Sequence, residues 1–427
     1  MDDPVLTDRL RNAVSANFAA QTAFLAGMVR YASLRGHEAP LQAHLAEQMA
    51  ARGWVVDQFS LADVALEAHP KASPMVDVDP AGSIQVVGTY QPAAVTGRSL
   101  ILQGHIDVVP EGPAQMWTHA PYAAEIHDGW MYGRGAHDMK SGVACMFFAM
   151  DALASAGLRP AATIHIQTVT EEESTGNGAL ATLLRGYRAD AALIPEPTGG
   201  TITRAHTGTL WFRLRVAGVP VHVAVAQTGS NAIMSAYQLI QALYAHTAEA
   251  NKAAAADPWY GGIDSPIKFN PGIIRGGDWA SSTPAWCEVD CRIGLLPGQD
   301  VAAVQKAVED ALATAARADG FMANNPPEIT WHGFLADGYV LEPGSEAEAV
   351  LAQAHQSAFG TEMPARITTA VNDARFYGLY FGIPGLCYGP KGEGAHAFDE
   401  RTDLEHLKTT TLAIALFIAE WCGVEEA

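Results

Sequence analysis

The stretch "ATIHIQTVTEEESTGNG", residues 162–178, joins an apolar run to a helix-like segment through three consecutive acids. An apolar run followed by a loop and a helix is typical of a βα unit in a parallel or mixed sheet. Glu171, Glu172 and Glu173 would repel one another by roughly 4 kcal/mol per pair at about 4 Å and an effective dielectric of about 20. The end of a buried strand is therefore a costly place for them unless positive charge lies nearby.

The first half of the chain repeats this alternation of apolar, β-like runs and amphipathic, helix-like segments. Further strand-like runs are "SLILQGHIDVV" (99–109) and "AALIPEP" (191–197), and helix-like segments are "SGVACMFFAMDALASAG" (141–157) and "GALATLLRGYR" (178–188). Strands that alternate with helices predict βαβ units and a sheet covered on both faces. We expect an α/β domain with a mixed, mostly parallel sheet flanked by helices.

The pattern changes after about residue 207. The segment "GTLWFRLRVAGVPVHVAV" (208–225) alternates apolar and polar residues, as a half-exposed antiparallel strand does. A helix-like segment, a strand-like run and a second helix-like segment follow, at 231–250, 285–296 and 301–319. These units predict a smaller, inserted α+β domain at 207–338, which interrupts a discontinuous larger domain at 1–206 and 339–427.

Length and charge limit the functions that the chain can serve. Two domains are the default expectation for 427 residues, and 46 acidic against 26 basic residues give a formal net charge of -20. Nucleic acids and anionic membrane surfaces both require basic patches, so neither is an expected partner. No apolar run reaches the roughly 18 residues of a membrane span. Small molecules and cations remain as ligands.

The cysteine pattern indicates reduced thiols and a cytoplasmic protein, because the five cysteines are scattered and odd in number. The acidic start "MDDPVLTDRL" lacks a basic region followed by an apolar core, so we expect no signal peptide. Cys287 and Cys291 lie four apart in a strand-like run without a second pair. We therefore expect no zinc site there.

The motif "GHIDVVP" (104–110) places His105 and Asp107 at the end of a predicted strand. At a spacing of two, their side chains share one face of the strand. A histidine beside a carboxylate is the usual arrangement of a metal ligand whose second ring nitrogen is held by an acid. A purely structural His–Asp hydrogen bond fits the same pattern, so both interpretations stay open at this point.

Three further residues are ambiguous when each is taken alone. Asp138, in "YGRGAHDMKSGVAC" (132–145), falls just before a predicted helix, where an aspartate commonly serves as an N-cap. Glu196 lies in a turn between two prolines, and His396 lies in a Gly-rich loop, where each would ordinarily be exposed. No neighbouring residue in the sequence is placed to orient the ring of His137, so we treat His137 as a non-ligand.

The joint placement of these residues is more informative than any one of them. Ligands of open α/β sheets bind beyond the carboxyl ends of the strands, where these side chains fall. Two histidines with three or four carboxylates suit a pair of divalent ions such as zinc, cobalt or manganese. Five ligands, one of them bridging, leave positions for water and substrate, which is typical of a catalytic site. Such ions would also offset the repulsion among the three glutamates.

The order of the motifs resembles that of the zinc-dependent M20 metallopeptidase and deacylase family over nearly the whole chain. The order is HxD, GRGxxDMKSG, an acid-Glu-Glu run before glycine, PEP, and a late histidine before "DE". The resemblance implies that Asp138 bridges two divalent ions, most simply zinc. It implies that His105 and Glu196 complete one site and that Glu173 and His396 complete the other.

The resemblance also implies the catalytic roles and the reaction. It makes Glu172 the general base and Asp107 the residue that orients His105; the register with Glu171 as base and Glu172 as ligand stays open. The implied activity is hydrolysis of the N-acyl bond of a small N-acylated amino acid or amine, as by acetylornithine deacetylase. A dipeptidase or aminopeptidase, an N-formyl amine deformylase, and a non-catalytic metal-binding protein are the alternatives.

The inserted segment resembles the lid or dimerisation domain of the family, which implies a homodimer. His222 stands where members place a histidine that polarises the scissile carbonyl, often in the active site of the other subunit. Arg292 stands where relatives bind a substrate carboxylate, and Arg375 is expected to bind substrate or to serve the structure. Asp373 is expected to be structural.

Overall fold

The computed structural model describes residues 4–427. The helices of this range are α1 (Pro4–Val29), α2 (Ala39–Ala51), α3 (Lys140–Ser155), α4 (Asn177–Leu184), α5 (Ala232–Ala254), α6 (Val301–Arg317), α7 (Glu346–Phe359) and α8 (Leu404–Cys422). The strands up to the second sheet are β1 (Val55–Ser60), β2 (Ile84–Tyr90), β3 (Leu100–His105), β4 (Glu125–His127), β5 (Trp130–Tyr132), β6 (Leu158–Pro160), β7 (Ile164–Val169), β8 (Ala191–Ile194) and β9 (Ile202–His206). The remaining strands are β10 (Gly208–Ala217), β11 (Phe269–Gly276), β12 (Trp286–Leu295), β13 (Glu328–Ala336), β14 (Tyr339–Val340), β15 (Ala365–Thr368), β16 (Gly385–Cys387), β17 (Gly392–Glu393), β18 (Arg401–Asp403) and β19 (Val424–Glu426).

The larger sheet has six strands in the order β1-β2-β7-β3-β8-β16. The β7–β3, β3–β8 and β8–β16 pairs are parallel, whereas β1–β2 and β2–β7 are antiparallel. Every residue of β3 and β8 is buried, because helices cover the sheet and a parallel sheet core reads as a continuous apolar run. The predicted class, α/β with a mixed, mostly parallel sheet flanked by helices, is confirmed.

The helices around this sheet share one continuous core with it. α3 is buried over most of its length and packs between β3, α1 and α8. α8 contains the apolar run at 409–423, and its side chains are buried against α3 and α7. This run is therefore a packing helix, as its short length indicates. No helix of residues 4–427 is long and apolar enough to cross a membrane.

A second, antiparallel sheet has the strand order β11-β12-β10-β13. β10 and β12 alternate buried and partly exposed residues, which is the pattern predicted for a half-exposed sheet. α5 and α6 pack on this sheet around a separate apolar core. These elements lie within 208–336, inside the segment predicted as an inserted domain. The exact domain boundaries stay a prediction.

Two local details differ from or refine the sequence pattern. β10 ends at Ala217, and the chain from 223 to 228 forms a short 3-10 segment instead of continuing the strand. Pro220 supplies no backbone N–H for a longer ladder. Cys287 and Cys291 are buried in β12, and all five cysteines are free thiols.

Candidate active site and metal centre

The predicted ligands meet because neighbouring strands of the larger sheet end at the same edge. His105 is the last residue of β3, and the acids that begin at Glu171 follow β7, its parallel neighbour. Glu196 lies two residues beyond β8, which pairs with β3 on the other side. His105 is fully buried and Glu196 is 7% exposed. The order of the strands therefore brings together His105 and Glu196, which are 91 positions apart in the sequence.

Asp138 connects two groups of ligand atoms. Its Oδ1 lies 3.2 Å from Nε2 of His105, and its Oδ2 lies 3.5 Å from Nε2 of His396. His105 Nε2 is 3.9 Å from Oε1 of Glu196, and His396 Nε2 is 3.1 Å from Glu173. Each group of three offers ligand atoms that all lie within 4.8 Å of one another. The Asp138 side chain therefore faces both groups and is not the N-cap of α3, a position held by Met139.

The three consecutive glutamates point to three different places. Glu171 is fully buried and accepts hydrogen bonds from Nε and Nη2 of Arg35, at 2.5 and 2.8 Å. Glu173 faces His396, as described above. Glu172 lies between them, with Oε2 3.9 Å from Nε2 of His105. One acid is thus paired with arginine, and the other two face histidines.

Asp107 holds His105 in a different way from the one expected. Nδ1 of His105 lies 3.0 Å from the main-chain oxygen of Asp107, whereas the nearest carboxylate oxygen is 3.6 Å away. The carboxylate instead accepts hydrogen bonds from the backbone N–H groups of Glu172 and Glu173. Asp107 thus fixes the histidine with its carbonyl and the glutamate turn with its side chain.

Glu400 is a buried acid that sequence reasoning did not single out. Its carboxylate accepts hydrogen bonds from Arg134 Nη1 at 2.6 Å and from the backbone N–H groups of Gly135, His137 and Asp138 at 3.0 to 3.1 Å. These bonds hold the loop that presents Asp138. The "DE" after the late histidine was the available signal, but its target is visible only in three dimensions. His137 itself lies in neither of these two groups of ligand atoms.

Burial of so many acids shifts their pKa values. Desolvation raises the pKa of Glu196 to about 8 and that of Glu172 well above its usual range, although His105 opposes both shifts. The negative charge of Glu173 raises the pKa of His396 to about 11. For Asp138 burial alone would raise the pKa, but hydrogen bonds from the two histidines lower it. The site holds protons that bound cations would replace.

A cavity of about 290 Å³ opens onto these ligands and is lined by residues of the larger sheet, of the second sheet and of the three-stranded sheet β14-β9-β15. Arg292 of β12 and Arg366 of β15 line it, together with Trp211 and Phe334. The side-chain hydrogen bonds of the two arginines within residues 4–427 go to neutral oxygens of threonines. Both guanidiniums therefore carry positive charge without an ion-pair partner in the described part of the chain. Sequence reasoning found Arg292 but missed Arg366, which no motif marks.

Arg375 does not line the cavity, and its contacts favour the structural one of the two roles expected for it. It is 1% exposed, and its guanidinium donates to the main-chain oxygens of Asn372 and Thr175. The guanidinium also lies 4.2 Å from the ring centre of Phe376. Asp373, fully buried, accepts a hydrogen bond from Gln103. Both residues brace the loop beside the cavity.

His222 is exposed and lies outside the cavity of its own chain. It occupies the N-cap of the 3-10 segment at 223–228, where its ring accepts a hydrogen bond from the N–H of Ala224. A backbone bridge pairs it with Ser282. The structure thus gathers the five predicted ligands, Glu172 and Arg292, but neither His222 nor Arg375.

The donor set fits a pair of divalent ions. Each group contains one imidazole nitrogen and two carboxylate groups, and Asp138 belongs to both. Nitrogen and oxygen donors in this mixture suit zinc, with cobalt or manganese as alternatives. Three protein ligands for each ion leave room for water or substrate, which is the arrangement of catalytic sites.

Comparisons of the sequence with known families and proteins find similarity to enzymes that hydrolyse amide bonds. Residues 101–420 match the sequence profile described as "Peptidase family M20/M25/M40". The "N-formyl-4-amino-5-aminomethyl-2-methylpyrimidine deformylase" of Halalkalibacterium halodurans is 29% identical over 361 residues, covering 80% of this chain and 82% of that protein. The "Succinyl-diaminopimelate desuccinylase" of Rhodopseudomonas palustris is 30% identical over 352 residues, covering 77% and 84%.

The fold has the same architecture as solved structures of low sequence identity. The crystal structure of human carnosine dipeptidase 1 superposes with a TM-score of 0.76 at 15% identity, covering 98% of this chain and 99% of that one. At such identity the likeness concerns the fold alone.

Proposed function

The chain belongs to peptidase family M20/M25/M40, and on that premise we propose that it hydrolyses the N-acyl bond of a small N-acylated amino acid or amine with two bound divalent ions. The observation that carries this proposal is the position of Asp138, whose two oxygens face two separate histidines. Zinc is the first choice for the ions by donor type. The five buried free thiols support a cytoplasmic location.

The ligands divide into two sites that share one residue. We assign His105 and Glu196 to one ion, Glu173 and His396 to the other, and Asp138 to both. Divalent ions held there would supply Lewis acidity and would lower the pKa of water toward neutral pH. Because Glu173 belongs to a ligand group and Glu172 does not, the register with Glu172 as general base is favoured.

We assign to Glu172 the transfer of a proton from water to the leaving nitrogen. It takes a proton from water while the water oxygen bonds to the acyl carbon. The C–N bond breaks next, and Glu172 delivers the proton to the leaving nitrogen, which yields a carboxylic acid and an amine. Burial of Glu172, 5% exposed, keeps bulk water from competing for that proton. Asp107 contributes by fixing the turn that bears Glu172.

The two unpaired arginines support a substrate that carries an anionic group. A guanidinium binds a carboxylate through two parallel hydrogen bonds, and Arg292 and Arg366 both face the cavity without a partner acid. A dipeptidase or aminopeptidase must bind a free amine. The carboxylates that line the cavity in the described part of the chain all belong to the metal cluster or to Glu172, so deacylation fits better.

An N-formyl amine deformylase is the second candidate. The cavity is small, about 290 Å³, and the rings of Trp211 and Phe334 contribute to its wall. Flat apolar walls of this kind favour an aromatic amine product. This candidate uses the same ligands and the same base, so it differs only in the acyl group and the amine.

We also propose that the protein acts as a homodimer formed through the inserted segment, with His222 serving the partner's active site. β11 is the edge strand of the second sheet, and Ile273 and Ile274 on it are 47% and 55% exposed. Met234 and Tyr237 form an exposed apolar stripe on the neighbouring α5. A second copy that covers this face would pair the open edge and bury the stripe.

One experiment tests the reaction and its base together. The zinc-loaded protein is assayed against N-acetyl, N-succinyl and N-formyl derivatives and against dipeptides, with and without chelator. We expect chelator-sensitive release of amine from at least one N-acyl or N-formyl compound. The metal-loaded Glu172→Gln variant should lose several orders of magnitude in kcat, while exposed Glu67→Gln should not. Near-normal kcat in metal-loaded Glu172→Gln would remove the proposed base.

A subunit-mixing assay tests His222. His222→Ala and Glu172→Gln proteins should each be inactive, and mixing them after subunit exchange should restore partial activity. The reason is that a mixed dimer holds one site with both residues intact. Absence of recovery, with exchange confirmed by mass, would contradict action on the partner's site.

A further inference from the structure

A second group of potential ligands lies on the surface, away from the cavity described above. Nδ1 of His119 is 2.9 Å from Oε2 of Glu125, and Nε2 of His127 is 3.1 Å from the same oxygen. The three ligand atoms all lie within 4.8 Å of one another. His119, Glu125 and His127, which we call the accessory cluster, are absent from the lining of the catalytic cavity.

The backbone holds the accessory cluster in place. Glu125 and His127 lie two apart on β4, so their side chains share one face of the strand. A tight turn at Asp128 and Gly129, both with positive φ, joins β4 to β5 and fixes that face. His127 therefore meets Glu125 through the backbone of the hairpin and not through flexible side chains alone.

His119 reaches the hairpin from a separate loop. Its backbone N–H donates to Oδ1 of Asp399 at 3.1 Å, and the N–H of Thr118 donates to the same oxygen at 2.8 Å. Its ring packs on Tyr132 with ring centres 4.0 Å apart. Two independent anchors thus set the position of Nδ1 before any ligand arrives.

Tetrahedral zinc with N and O ligands at about 2.0–2.1 Å requires ligand atoms roughly 3.3 Å apart. The observed separations of 2.9 and 3.1 Å differ from this by a few tenths of an ångström. From this geometry we propose that His119, Glu125 and His127 form an additional site for a divalent transition-metal ion, zinc by donor type. The argument for this site does not depend on the proposed reaction.

Binding requires that the ion replace the protons that now lie between the rings and the carboxylate. Oε2 of Glu125 lies within hydrogen-bond distance of the facing nitrogen of each ring. Coordination needs a lone pair on that nitrogen, so a hydrogen there moves to the other ring nitrogen of a neutral imidazole or leaves to solvent from a protonated one. Proton release from a protonated ring makes ion binding stronger as pH rises.

The surroundings leave space for the remaining ligand. The side chains of Glu125 and His127 are 40% and 53% exposed, so solvent water can serve as the fourth ligand. Arg401, beside Tyr132, donates to Oη of that tyrosine and to Glu393, each at 2.6 Å, so its charge is compensated. Asp399, which holds the His119 backbone, lies three residues after His396 in the chain. The accessory cluster is thus tied to the loop that bears a proposed catalytic ligand.

A zinc titration of the purified full chain tests this site. The number of ions bound per chain and their dissociation constants are measured in competition with a chromophoric chelator. The variants are His127→Ala and Glu125→Gln, with His37→Ala as the matched control, because His37 is exposed and belongs to no ligand cluster. The His127 side chain is 53% exposed, so its removal leaves the fold intact.

We expect His127→Ala to bind one ion fewer per chain than the wild type and His37→Ala to match the wild type. Glu125→Gln should weaken the affected ion by about tenfold or more, the loss that even outer partners of ligands cause. Far-UV circular dichroism identifies any variant that misfolds. Equal numbers of ions with equal dissociation constants in wild type, His127→Ala and Glu125→Gln would overturn the proposal.

Discussion

Asp138 and His105 stand 3.2 Å apart, from Oδ1 to Nε2, while the other oxygen of Asp138 is turned toward a second histidine. The carboxylate is therefore shared between two groups of donors that come from opposite sides. Glu400 makes this possible because it accepts the backbone N–H of Asp138 and leaves both side-chain oxygens free.

Removing one oxygen of Asp138 should disrupt both ion sites together. Asp138→Asn keeps the size of the side chain but replaces one ligand oxygen by an amide and removes the charge. We expect the variant to lose tight binding of both ions and to lose activity, measured as metal content after dialysis. Exposed Asp264→Asn is the control. Retention of two tightly bound ions by Asp138→Asn would contradict the shared carboxylate.

Glu400 should act as a positioning residue for Asp138. Glu400→Gln keeps one acceptor oxygen but leaves the buried Arg134 guanidinium without its charge partner. We expect metal affinity to fall about 10–100-fold, as for other outer partners of ligands, and stability to fall by roughly 3 kcal/mol. Chelator competition and urea unfolding measure the two effects. Glu393→Gln, exposed in the same loop, should change neither; unchanged metal affinity in Glu400→Gln would refute this role.

Breaking the Arg35–Glu171 ion pair should lower the free energy of unfolding, whereas replacing both residues by neutral ones should lower it much less. Arg35→Ala leaves the fully buried Glu171 without its cation, which should lower the free energy of unfolding by roughly 3 kcal/mol. The double variant Arg35→Met/Glu171→Gln should recover most of that loss, because no buried charge remains. Urea unfolding measures both. Arg9→Ala, at an exposed pair with Glu426, should have a much smaller effect.

If Arg35→Ala and the double variant were equally unstable, the loss would come from packing and not from an uncompensated charge. If Arg35→Ala had the same free energy of unfolding as the wild type, Arg35 would not stabilise the buried Glu171.

Glu38 should make stability depend on pH. Burial raises its pKa from 4.5 to about 7, with smaller contributions of opposite sign from Glu171 and Arg35. Between about pH 4.5 and pH 7 the folded chain then holds more protons than the unfolded one. This carboxyl therefore lowers the free energy of unfolding as pH rises, by up to roughly 3 kcal/mol.

Glu38→Gln should remove that dependence. Relative to the wild type, the variant should gain stability at about pH 8 compared with about pH 5, in urea unfolding curves at both values. An equal difference between variant and wild type at the two pH values would show that Glu38 ionises normally in the folded chain.

The ligands could be predicted from the sequence because each falls at or beside an element boundary. The runs at 99–109 and 162–178 mark two buried strands, and parallel neighbours end at one edge of a sheet. His105 and the glutamates after β7 are placed there by chain periodicity alone. The bridging role of Asp138 needed the family resemblance, since its local pattern also fitted an N-cap.

The outer partners could not be predicted because they depend on contacts distant in sequence. Glu400 binds a loop 262 to 266 residues earlier in the chain, and Arg35 meets Glu171 across 136 residues. Arg366 faces the cavity only because β15 pairs with β9. The sequence left the role of Arg375 open because its motif does not show that backbone carbonyls accept hydrogen bonds from its guanidinium. Asp107 likewise contacts His105 through its main-chain carbonyl, which a pattern of side chains in the sequence does not reveal.

The central claim is that dispersed side chains gather two divalent ions. Anomalous diffraction at the zinc edge, from crystals of the zinc-loaded protein, tests it most directly. We predict one peak among His105, Asp138 and Glu196, and a second among Asp138, Glu173 and His396. A fully loaded crystal with a single peak or none at this cluster would contradict the account.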